Sequence, residues 1–129
     1  MELVVDTSVL LAVALDEPEK ASLVELTQGA ALFAPEILPY EIGNALSALC
    51  KRGRLSPDEA RKAWRICAGI PVQLIPVDIQ RSLELAATHR IYAYDAFFLQ
   101  CALRQGSPLL TLDRQMARIA RSEGIALLR

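Results

Sequence analysis

Apolar positions along this chain follow two alternating rhythms. Short runs rich in Val, Leu and Ile carry the pattern of buried strands, at Leu3–Val5, Ala31–Phe33, Gln73–Ile75, Leu109–Thr111 and Ile125–Leu128. Between them the apolar positions recur at helical spacing. Helices are predicted over Ser8–Leu15 and Pro18–Thr27, the second closed by Gly29. A longer one spans Pro39–Arg52, with Ile42, Ala45, Leu46 and Leu49 on one stripe and Gly53 as its stop. Ser56-Pro57-Asp58-Glu59 is a helix start: Ser56 caps, Pro57 fits the first helical position and Glu59 completes a capping box. That helix runs to Gly69. Asp78 caps one that reaches His89; Asp95 opens another that ends at Gly106; Asp113 opens the last, closed by Gly124.

Strands that alternate with helices imply an α/β fold on a parallel sheet. No repeat, linker or low-complexity segment interrupts the pattern, so one domain is expected over residues 1–129.

Composition adds a few bounds. A 129-residue chain that is 53% hydrophobic can build a real core, and surplus apolar surface would suit a dimer or a partner protein. Fourteen basic and 15 acidic side chains leave a net charge of -1, which does not advertise nucleic-acid binding; clustering of charge matters more than the sum. Cys50, Cys67 and Cys101 are scattered on apolar helical patterns, without metal-ligand spacing, and read as buried thiols in a reducing compartment. No apolar run is long enough to span a bilayer. Val9–Leu15 could pass for a signal segment, but Glu2 and Asp6 put negative charge where a signal needs positive charge. A cytoplasmic protein with no membrane partner is expected.

The chemistry lies in four acids. Asp6 follows the first strand and precedes two hydroxyl residues, at the sheet edge where open α/β folds bind ligands. Glu41 stands in the first turn after Pro39, Asp95 at the start of Asp95-Ala96-Phe97-Phe98, and Asp113 after Leu109-Leu110-Thr111-Leu112. Asp95 and Asp113 have a simpler reading as N-caps. Glu41 flanks a buried stripe and Asp95 precedes Phe98 and Leu99, so partial burial is expected, where an uncompensated carboxylate is costly. No Lys or Arg adjoins Asp6 or Glu41, and His89 alone cannot neutralise four acids. If the four converge, repulsion of roughly 4 kcal/mol per pair at about 4 Å calls for a hard divalent cation.

The order and spacing of several short elements resemble the PIN domain family, and within it the small VapC-like toxin ribonucleases. They are Val5-Asp6-Thr7-Ser8, Pro35-Glu36 with Glu41-Ile42-Gly43-Asn44-Ala45-Leu46, Tyr94-Asp95-Ala96 and Thr111-Leu112-Asp113. The likeness covers nearly the whole chain. It implies a three-layer α/β/α fold with a central parallel sheet of about five strands. It implies that Asp6, Glu41, Asp95 and Asp113 bind metal and catalyse, with Ser8 and Thr111 shaping the site. The implied activity is Mg²⁺-dependent endonucleolytic cleavage of RNA by a metal-activated water, with Mn²⁺ as a substitute. The implied partners are a second copy in a homodimer and a small antitoxin. Met116 departs from the family, where many members carry an aromatic after the last acid.

Lys51, Arg52, Arg54 and Arg114 are candidate contacts to RNA phosphates, against the plainer reading of helix-end complement or solvated surface. Tyr92 and Tyr94 could stack on a base, though core packing is favoured. Three rival functions stand beside the toxin reading. A free-standing nuclease would share the chemistry without an antitoxin, and a non-catalytic RNA- or protein-binding module would share only the fold. A haloacid-dehalogenase-type phosphatase needs a second Asp where this chain has Ser8.

Overall fold

The computed structural model describes residues 1–128. Its elements follow the alternation of the sequence: β1 (Glu2–Val5), α1 (Thr7–Ala14), α2 (Lys20–Thr27), β2 (Ala31–Pro35), α3 (Leu38–Lys51), α4 (Pro57–Gly69), β3 (Val72–Ile75), α5 (Ile79–His89), α6 (Ala93–Gln105), β4 (Leu109–Leu110) and α7 (Arg114–Ser122). The strands form one parallel sheet in the order β3-β2-β1-β4, with Leu3 opposite Leu32 and Val5 opposite Leu110.

The order explains the composition of each strand. β1 lies inside the sheet, and Leu3, Val4 and Val5 are fully buried; a parallel strand covered on both faces must be apolar at every position. β3 lies at the edge, so Gln73 and Leu74 can face solvent. The chain steps from β1 to β2 to β3 in one direction and then crosses back to β4. Right-handed crossovers in opposite directions place α1–α4 and α5–α6 on opposite faces. The contacts agree: α1, α3 and α4 pack together on one side, while α5 packs on α6 and α6 crosses β1 and β2. The core joins Leu3, Val4 and Val5 to Leu10, Phe98, Leu99 and Leu110.

Local signals fix most boundaries. Ser56 Oγ accepts the N–H of Glu59 at 3.1 Å, and the Glu59 carboxylate accepts that of Ser56 at 2.9 Å, closing the capping box. Asp78 accepts the N–H of Arg81 at 3.1 Å and starts α5. Gly106 ends α6 at φ +61°, a conformation that a β-carbon disfavours.

Three expectations change. The sheet has four strands, not five: Ile125–Leu128 makes one isolated bridge, Leu109 to Leu127, and β4 is too short to carry a further full strand. Asp95 does not open α6, because Tyr92 is its N-cap and Asp95 sits within the first turn. Tyr92 and Tyr94 are not core: they are 84% and 53% exposed, and Tyr94 meets Phe97 edge to face at 6.2 Å. Among the thiols, Cys67 and Cys101 are buried and Cys50 is half-buried.

Candidate functional site

Strand order sets where a site can form. The chain leaves β1 toward β2 and returns to β1's other side as β4, which makes the crevice beyond these two strand ends a topological switch point. Asp6 comes directly after β1, and Thr111 and Asp113 come after β4.

Asp6 is the only buried charged side chain among the described residues, at 3% exposure. Its Oδ1 accepts the Ser8 hydroxyl at 2.6 Å and the backbone N–H of Val9 at 3.3 Å, so it also caps α1. Its Oδ2 accepts the Thr111 hydroxyl at 2.5 Å. Each hydroxyl in turn accepts a backbone N–H from the loop after β4: Ser8 Oγ from Leu112 and Thr111 Oγ1 from Asp113, both at 3.0 Å. A hydroxyl has a single proton to give. With a lone pair on each occupied by an N–H, both protons point at Asp6. The two hydroxyls therefore hold the carboxylate in one orientation and tie the ends of β1 and β4 together.

Electrostatics join the remaining acids to this anchor. Burial pushes the Asp6 carboxyl up from 3.8 to about 6; the Ser8, Thr111 and Val9 hydrogen bonds oppose the shift and the charge of Asp113 adds to it. Asp95 is raised by burial and then by Asp113, and Glu41 by burial and then by Asp95. Repulsion thus runs in a continuous series from Glu41 through Asp95 and Asp113 to Asp6. α3 brings Glu41 in its first turn, α6 brings Asp95 in its first turn, and Asp113 caps α7 by accepting the N–H of Met116 at 3.0 Å. The plain N-cap reading is thus correct for Asp113 as far as it goes, and it does not describe Asp95.

The donor set fits a hard cation. It consists of carboxylate oxygens, and none of the four acids has a Lys, Arg or His within ion-pair distance among the described residues. As the side chains stand, no three of the described His, Cys, Asp and Glu residues are close enough to hold an ion together. The acids nevertheless stand within range of mutual repulsion, Glu41 of Asp95, and Asp95 and Asp6 of Asp113.

The basic candidates divide. Lys51, Arg52 and Arg54 are exposed at the far end of α3, about 15 Å along the helix axis from Glu41, so they do not line the acidic crevice. Arg114 does adjoin it. Together with Thr111, Asp113, Arg121 and Glu19 it lines a cleft of about 330 Å³. Arg114, Arg118 and Arg121 stand at helical spacing in the sequence and read there as a solvated face; of the three, Arg114 and Arg121 line this cleft. Glu19 falls inside the helix expected over Pro18–Thr27, which begins only at Lys20, and nothing in its sequence context marks it as a cleft residue. A larger cleft of about 670 Å³, lined by Asp78, Gln100, Arg104 and Glu123, contains none of the four acids.

Residues 3–122 match the family described as PIN domain. The chain is 32% identical over 123 residues to ribonuclease VapC3 of Pyrobaculum aerophilum, covering 91% of this chain and 93% of that protein. Among solved structures it resembles PAE2754, also of Pyrobaculum aerophilum, with a TM-score of 0.70 and 25% identity over 92% of this chain and 79% of that one. It also shares the fold of Mycobacterium tuberculosis VapC20, described as a sarcin-ricin loop cleaving toxin, with a TM-score of 0.67 and 14% identity over 98% of each chain.

Proposed function

The chain belongs to the PIN domain family, and on that premise we propose that it is a divalent-cation-dependent endoribonuclease serving as the toxin of a toxin–antitoxin pair. The observation that carries this reading is the Asp6 carboxylate. It is buried at the switch point, oriented by two hydroxyls, repelled by Asp113 and matched by no cation among the described residues. The similarity to a ribonuclease supports RNA as the substrate.

In this reading Asp6, Glu41, Asp95 and Asp113 hold one or two Mg²⁺ or Mn²⁺ ions. A bound divalent ion would supply Lewis acidity, lowering the pKa of a water and offsetting the charge of a phosphodiester transition state. The protein's residues fix the geometry in which that happens. Ser8 and Thr111 keep Asp6 from rotating, and a ligand locked in place by its own hydrogen bonds binds an ion in one defined position. Asp113 is exposed and stands at the mouth of the crevice. Arg114 beside it can take a phosphate oxygen of the bound strand. The family likeness extends the proposal to a homodimer and to a small antitoxin that silences the site.

Purified protein incubated with RNA and Mn²⁺ or Mg²⁺, against an EDTA control, tests the activity. Cleavage fragments should appear only with metal. The ion should also raise the melting temperature, since a ligand that binds only the folded state at 100 times its Kd adds about 2.7 kcal/mol. Cleavage that persists in EDTA, or a melting temperature unmoved by millimolar metal, would overturn the cation part of the proposal.

A further inference from the structure

The cleft beside Asp113 has a composition that the four acids do not explain. Arg114 and Arg121 lie two turns apart on one face of α7, and Glu19 faces them from the turn before α2. Leu109, Leu112 and Leu127 supply apolar lining between them. Opposite charges thus share a cleft, yet neither arginine forms an ion pair with Glu19 or with any other described carboxylate. Among the described residues Glu19 Oε1 is shut off from water and accepts no hydrogen bond, and its side chain makes no cap for α2. A carboxylate oxygen left in that state is costly and wants a donor.

The ligand that satisfies all three features carries an anion, a flat apolar face and adjacent hydrogen-bond donors. A guanosine nucleotide has all three. Its N1–H and N2–H groups lie side by side and can meet both oxygens of one carboxylate. Adenine and cytosine each set an acceptor beside their single amino group, and uracil flanks its N–H with two carbonyls, so each turns a lone pair toward the acid. Single-stranded RNA is read through these edges of splayed bases. Glu19 already lines the cleft, and its terminal torsion is broad, so the carboxylate is free to turn toward a base seated there.

We propose that this cleft is a guanosine subsite of the substrate strand, with Glu19 reading the base edge and Arg114 and Arg121 holding its phosphates. The inference rests on the ribonuclease reading above, and its tests separate the two. In a binding test, the intact wild-type protein is titrated without metal with a pyrimidine oligoribonucleotide carrying one guanosine, and with the same strand carrying inosine, which lacks the N2 amine. The guanosine strand should bind roughly tenfold tighter, in the range one good base-edge contact supplies. Equal binding of the two strands would overturn the subsite whether or not the protein cleaves.

The second test maps cleavage on a random-sequence RNA pool. Wild type should show guanosine enriched at one fixed position relative to the cut. Glu19→Gln should lose that enrichment while still cutting, because an amide offers one acceptor where the base needs two. An unchanged enrichment in Glu19→Gln, in a variant whose melting curve shows it folded, would sink the assignment of Glu19. No cleavage by wild type with guanosine still preferred over inosine would uphold the subsite and defeat the enzyme reading.

Discussion

Asp6 and Asp78 follow the same local rule and end in different states. Both cap a helix, Asp6 through the N–H of Val9 and Asp78 through that of Arg81. Asp78 is 43% exposed, and the guanidinium of Arg81 lies 4.0 Å away. Asp6 is 3% exposed, and its hydrogen-bond partners among the described residues are two hydroxyls and one N–H, with another acid nearby. Capping chemistry therefore explains why an aspartate is tolerated at each position but not why one of them is buried. A cap needs one acceptor oxygen at the surface. At Asp6 the fold instead encloses the carboxylate and adds two more donors to orient it, at a desolvation cost that these hydrogen bonds offset only in part, since the group stays raised to about 6. That excess over the needs of a cap is the physical mark of a ligand site.

The contrast should be widest in catalysis. Asp6→Asn keeps the shape and the cap while removing the charge, and RNA cleavage should fall by at least about 100-fold, the upper range for disturbing a residue that merely supports a metal ligand. Asp78→Asn should leave the rate within about twofold. Side-by-side rates of the two folded variants decide the matter. Undiminished cleavage by Asp6→Asn would remove the acid from the chemistry.

Much of this contrast was legible in the residues. The apolar run before Asp6 and the one before Asp113 are local patterns, so both acids could be placed at strand ends. Ser56-Pro57-Asp58-Glu59 and Asp78 state their caps outright, and the structure has α4 beginning at Pro57 and α5 spanning Ile79–His89. Most of what failed depended on partners distant in sequence. Ile125–Leu128 has the composition of a strand, but a strand needs a neighbour of matching length, and β4 offers only Leu109–Leu110. The start of α6 was misplaced by two residues because Tyr92 caps it without a side-chain bond, leaving no chemical signal. The tyrosines were expected inside on the strength of their apolar rings, yet nothing packs outside the first turn of α6 to cover them. Glu19 was silent because a cleft is assembled from α7 and a turn some hundred residues earlier in the chain. The pairing of Thr111 with Asp6 was likewise invisible locally; only the parallel register of β1 with β4 brings the two together.

Enclosure of the Asp6 carboxyl should also appear in the pH dependence of stability. The folded protein holds a proton on Asp6 more tightly than the unfolded chain does, since burial raises the group from 3.8 to about 6. The associated stability is complete below about pH 4 and is lost as the pH rises through 6. Without metal, chemical unfolding should show stability falling by as much as about 3 kcal/mol across that window. Glu41 and Asp95 are raised as well and push in the same direction. Asp6→Asn should flatten most of the slope. Stability that rises between pH 4 and 6 in the metal-free protein would show that Asp6 has a counter-ion after all.

The smallest effect lies on the ordinary side of the comparison. Asp78→Ala removes the acceptor for the Arg81 N–H and should cost about 1 kcal/mol, the usual value of an N-cap. The ion pair with Arg81 adds little to that, being long and exposed. The backbone of Asp78 also holds the junction and survives the substitution: its N–H donates to the buried Gln100 side chain at 3.1 Å, and its carbonyl accepts the Ser82 hydroxyl at 2.8 Å. α5 should therefore stay docked on α6, and cleavage should be unaffected. A loss well above 2 kcal/mol would mean that Asp78 also anchors the packing of these helices. The distinction between an aspartate that only caps and one the fold encloses for another purpose would then have to rest on Asp6 alone.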